Sequence, residues 1–91
     1  MVIEDLLEEV LSVGASDLHL SVGQPPVYRI DGNLVRTKYE PLTGPAIEVL
    51  LFPMLSNEQR RVLEQTWELD FSYGVHGIGR FRVNIYKEAS N

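Results

Sequence analysis

The chain has 91 residues, 44% hydrophobic and 23% charged, with one Trp, four Tyr and three Phe, which suits one ordered domain with a modest core and is too short for two. A formal net charge of −5 gives a whole-molecule field that repels nucleic acid and anionic membrane, so nucleic acid is not an expected partner and any anion site must be local. The absence of cysteine excludes disulfides and thiol chemistry, and without a run of about 18 apolar residues or a basic, apolar leader the expectation is a cytoplasmic chain with no transmembrane segment.

In the first segment Ile3, Leu6, Leu7, Val10 and Leu11 recur at helical spacing with Glu4, Asp5, Glu8 and Glu9 opposite, which predicts an amphipathic helix with a solvated acidic face, stopped at Gly14. Leu18, Leu20 and Val22 then alternate with Asp17, His19 and Ser21, the pattern of a half-buried strand. After the breaker GQPP, the segment VYRIDGNLVRT reads as a hairpin about Asp31-Gly32. Its two-residue turn pairs Tyr28 with Val35 and Ile30 with Asn33, Arg29 and Leu34 lying on the other side, and the facing is mixed.

Two short helices follow. Thr43 is placed to cap the first, with Pro45 in its first turn and Pro53 at its end; Ser56 and Gln59 are spaced as a capping box for the second, along which Val62, Leu63 and Trp67 share one side. Two further alternating runs, Leu69, Phe71, Tyr73 and Phe81, Val83, Ile85, are strands. A loop over VHGIG sets Leu69 opposite Ile85, Phe71 opposite Val83 and Tyr73 opposite Phe81, since a one-residue slip would expose one apolar set. The order predicts an α+β domain over residues 1–91, with an antiparallel sheet of about five to six strands and the helices on one face.

That register projects Arg80, Arg82 and Asn84 from the face away from the core, the two guanidinium stems about 7 Å apart. Arginines at this spacing suit a phosphate or carboxylate, whereas the plainer reading is an ion pair from Arg82 to the diagonal Asp70. Asp17 and His19 read as two metal ligands, as an acid orienting a histidine base, or as a structural hydrogen bond; no third ligand is apparent, and no metal is expected. His76, in a glycine-rich loop, reads as exposed rather than catalytic. The sequence has no G-x-S-x-G, no G-x-G-x-x-G after a strand and no G-x-x-x-x-G-K-[ST], so no catalytic residue and no tightly bound cofactor is expected of this chain by itself.

The blocks GASDLHLSVGQPPVYRIDGNLV, PLT, LDFSYGV and GRFRVNIYK, together and in order over nearly the whole chain, resemble the N-terminal domain of the type IV pilus retraction ATPases, within the type II and type IV secretion ATPase superfamily. The resemblance implies a PAS-like domain preceding a RecA-like ATPase domain that this chain does not include. It implies ATP and Mg as cofactors of the whole protein. The partners it implies are the protein's own C-terminal ATPase domain, neighbouring subunits of a homohexamer, and the pilus machinery at the inner membrane. Arg80 and Arg82 fall on the motif whose arginines reach the nucleotide phosphates, and Arg29 on a secondary position; Asp17 and His19 match a block of structural or interfacial role. After the last strand the chain reads KEASN where family members continue through glutamine, arginine and glycine, so it is read as a piece of a longer protein. Two other classes stand beside this one: a stand-alone PAS-like sensor, which needs an apolar pocket with a few convergent polar groups, and a purely structural interaction module.

Overall fold

The structure, a computed structural model, describes residues 3–75, 77 and 79–86; the expectations for His76 and for the KEASN end lie outside those residues. Helix α1 (Ile3–Ser12) buries Leu6 and Val10 completely. It ends as its sequence dictates. Gly14 takes a left-handed φ of 72°, and the amides of Gly14 and Ala15 return to the carbonyls of Leu11 and Val10, the paired bonds of a glycine-terminated helix.

Strand β1 (Asp17–Ser21) stops one residue short of the alternating run, and Val22 lies exposed in the turn that follows. There Gly23 donates to the Leu42 carbonyl at 2.7 Å. Strands β2 (Val27–Ile30) and β3 (Asn33–Arg36) form the expected hairpin, with Tyr28 opposite Val35 and Ile30 opposite Asn33. Asp31 and Gly32 both have positive φ, 50° and 82°, as a two-residue turn matched to strand twist requires.

Helix α2 (Gly44–Leu51) begins with the Thr43 side chain accepting from the Ala46 amide and passes into a short 3-10 turn, Phe52–Met54, that contains Pro53. Helix α3 (Asn57–Thr66) carries the full capping box of Ser56 and Gln59. Trp67 is not on its flank but forms its left-handed cap, φ 56°, and lies against Gly44, where an added Cβ would stand 3.3 Å from the indole. Strands β4 (Leu69–Val75) and β5 (Gly79–Tyr86) pair in the expected register, extended to Val75 opposite Gly79.

The five strands form one sheet in the order β3-β2-β1-β5-β4. Neighbours run antiparallel except at the centre, where β1 and β5 are parallel, so the sheet is mixed. The helical segment between β3 and β4 carries the chain from one edge to the other, and β5 then fills the gap beside β1. One apolar row crosses all five strands, Val35, Tyr28, Leu18, Val83 and Phe71, and Leu20, Ile85 and Leu69 make the next. Leu18, Leu20, Val83 and Ile85 are buried under the helices with Ile47, Leu51 and Leu63, each contributing on the order of 2 kcal/mol.

Glu9 departs from the solvated face expected for it. The Tyr28 hydroxyl donates to one of its carboxylate oxygens at 2.7 Å and the Tyr39 hydroxyl to the other at 3.0 Å. The helix is thereby pinned to β2 and to the segment that leads into α2. Asp5 and Glu8 remain exposed.

A polar face on the sheet

Because side chains alternate along a strand, the residues between the apolar rows share the opposite face. The register lines up Leu34, Arg29, Asp17, Arg82 and Ser72 as one row, and Arg36, Val27, His19, Asn84 and Asp70 as the next. Arg80 stands one step further along β5, opposite Gly74. The parallel β1–β5 pairing therefore brings the sequence pattern D-x-H beside R-x-N, which are more than sixty residues apart.

At the centre, the buried Asp17 carboxylate is almost fully engaged. Its Oδ1 accepts from Ser16 Oγ at 2.8 Å, its Oδ2 accepts from Asn84 Nδ2 at 3.0 Å, and Arg82 Nε lies 3.9 Å from Oδ2. Asn84 Oδ1 in turn accepts from Arg82 Nη2 at 3.4 Å. Burial alone raises the Asp17 pKa, but the hydrogen bonds from Ser16 and Asn84 and the charge of Arg82 together outweigh it and hold the acid below its ordinary 3.8. The ion pair expected between Arg82 and Asp70 is replaced by one to Asp17, because the parallel pairing sets Asp17 directly beside Arg82 while Asp70 keeps only the diagonal position across the hairpin.

The two leading arginines lean apart. Arg82 lies toward β1 with its side chain 64% exposed. Arg80 lies across β4: its Nε donates to Ser72 Oγ at 3.3 Å, and a Cβ built on Gly74 would come within 2.5 Å of its Nη1. Arg29, half-buried on β2, donates from Nη1 to the Gly32 carbonyl of its own turn at 3.0 Å. Arg29 and Arg82 thus flank Asp17 from the two neighbouring strands, and Arg80 occupies the sheet's outer margin.

His19 is partly buried, and burial lowers its pKa from 6.5, with Asp17 and Asp70 opposing the shift and Arg29 and Arg82 reinforcing it. Its Nε2 is buried without a hydrogen-bond partner among the described residues, and its ring meets Tyr86 edge-on at 6.3 Å. The carboxylate of Asp17 is committed to Ser16 and Asn84. Among the described residues no group of three His, Cys, Asp or Glu comes together that could hold a metal.

On the other side of the molecule, an open groove of about 440 Å³ runs between α1 and the β2–β3 hairpin, walled by Val13, Tyr28, Ile30, Val35 and Tyr39 with Glu9, Arg36 and Lys38 in its lining. No helix among the described residues is long and apolar enough to cross a membrane.

No family model matches the chain, but individual proteins do. It is 41% identical over 97% of its length to the type IV pilus retraction ATPase PilT of Pseudomonas aeruginosa, and 30% identical over 94% to the type IV pilus ATPase PilU of the same organism. Among solved structures, the pilus retraction motor PilT with bound ADP matches 90% of the chain with a TM-score of 0.68 at 40% identity. The chain spans about a quarter of the length of these proteins: 26% of PilT, 22% of PilU and 24% of the crystallised motor. In sequence and in fold alike, the chain belongs to the PilT-like pilus ATPases and corresponds to their N-terminal domain.

Proposed function

We propose that this domain is a regulatory and assembly module of a hexameric, ATP-driven pilus retraction motor, and that its polar sheet face supplies arginines to a nucleotide site completed by an ATPase domain elsewhere in the longer protein. Catalysis, ATP and Mg belong to that second domain. The motor works from the cytoplasm against pilus machinery at the inner membrane, and neighbouring subunits of the ring are its direct partners.

The observation that carries this reading is the state of Arg82. Its Nε lies by Asp17 and its Nη2 donates to Asn84, yet most of its side chain is exposed, so the rest of the guanidinium is presented to solvent. A terminal phosphate approaching this face meets Arg82 with Arg29 nearby, while Arg80, turned toward the β4 margin, is placed for a different oxygen or for a neighbouring subunit. Gaining or losing the phosphate changes the charge these side chains face, and rotation of the domain follows.

The test is ATP turnover by the longer protein carrying Arg82→Ala or Arg80→Ala, with ring assembly followed in parallel. Turnover is expected to fall by at least about tenfold in intact rings, the loss that one charge-assisted hydrogen bond represents. Normal turnover in both variants removes the nucleotide role. Rings that fail to form while nucleotide affinity persists make the face a purely structural interface.

A further inference from the structure

We propose that Asp17 and Asn84 are positioning residues for Arg82: together they fix where its guanidinium points on the polar face. The functional consequence rests on the phosphate-facing role given to Arg82 above, whereas the placement itself does not. An ionised carboxylate offers only acceptors, so the Asn84 amide must turn its Nδ2 toward Asp17 Oδ2, 3.0 Å away. That orientation leaves Asn84 Oδ1 aimed along β5 at Arg82 Nη2. Arg82 is then held at two points, Nε by the Asp17 charge and Nη2 by the Asn84 carbonyl oxygen.

Ser16 Oγ donates to the remaining Asp17 oxygen at 2.8 Å, which favours the same carboxylate orientation. Of the five guanidinium N–H groups, those pointing away from this pair stay available for a ligand. The arrangement is built across the parallel β1–β5 pair: Asp17 comes from β1, Arg82 and Asn84 from β5, and the Arg82 amide also donates to the Ser16 carbonyl at 2.9 Å. Backbone and side chains therefore hold Arg82 from the same short segment. Asp17 is thereby accounted for as a charged anchor for Arg82.

Two measurements test this separately. In this chain, the Asp17 carboxyl carbon is titrated by NMR in wild type and in Arg82→Ala; the midpoint is expected to rise when the arginine is removed, and an unchanged midpoint overturns the inference. In the longer protein, Asp17→Asn is expected to cost about tenfold in turnover and to cost nothing further once Arg82 is already alanine. The exchange Asp17→Asn with Asn84→Asp, which keeps one amide and one carboxylate facing each other, is expected to restore most of the loss. An Asp17→Asn effect of equal size in the Arg82→Ala background means that Asp17 acts by another route and overturns the positioning role. If the NMR coupling is present and Arg82→Ala turns over normally, the placement stands and the nucleotide role falls.

Discussion

Replacing Glu9 by alanine removes the acceptor shared by two tyrosine hydroxyls, and the structure fixes how unequal the two losses are. Tyr28 is only 4% exposed, so its hydroxyl, 2.7 Å from the carboxylate, is left in a site where water replaces the acceptor poorly. A hydrogen bond to a charged group, lost with its partner stranded, costs about 2–3 kcal/mol. Tyr39 is more open, and water there restores all but about 0.5 kcal/mol. The sum, about 3 kcal/mol, is a large share of the roughly 5–14 kcal/mol expected for a domain this size and corresponds to a melting point lower by roughly 12–24 °C. Urea unfolding near neutrality is the assay, with the midpoint moved and the slope unchanged. Tyr28→Phe supplies the other corner of a double-mutant cycle, in which the two changes should interact by at least about 1 kcal/mol. Additivity within about 0.5 kcal/mol refutes the reasoning, because it means the carboxylate and the phenol do not depend on each other.

Three smaller consequences follow from the same structure. Ser56→Ala breaks the capping box that starts α3 and is expected to lower stability by about 1 kcal/mol, read by the same unfolding curve, with no change in the Asp17 titration. Because burial lowers the His19 pKa from 6.5, the unfolded chain binds the extra proton first; stability should be full above 6.5 and decline as pH falls from there toward the folded value, a step that His19→Gln abolishes. Asp17 behaves in the acid range: its folded pKa lies below the unfolded 3.8, so its contribution is present above that value and disappears as pH falls through the folded one. Asp17→Asn should flatten the stability profile in that lower window while leaving the His19 step.

Much of the fold was legible because its signals are local. The Asp31-Gly32 pair announced the β2–β3 register, and the apolar alternation of β4 and β5 allowed only one pairing that kept Phe71, Val83 and Phe81 covered. Thr43, Ser56 and Gln59 marked helix starts through hydrogen bonds made within three residues. The parallel contact of β1 with β5 had no such signal, since nothing local links residue 17 to residue 82, and an antiparallel sheet was the natural expectation. Without that pairing, the sequence points Arg82 to the acid across its own hairpin, Asp70, and Asp17 to its strand neighbour His19. The clue lay in the polar halves of two alternating strands, D-x-H and R-x-N, which had to share a face once both strands turned their apolar sides inward. Glu9 illustrates the same limit: four acids in one helix look like a solvated face, and only the packing of Tyr28 and Tyr39 singles one out.

The nucleotide role proposed for this face requires Arg82 to reach a phosphate, and the most direct measurement is a structure of the longer protein with a non-hydrolysable ATP analogue bound. It should place the Arg82 guanidinium within hydrogen-bonding distance of the terminal phosphate while Asn84 still bonds Asp17. An Arg82 lying against Asp17 with every phosphate oxygen held by other residues contradicts it.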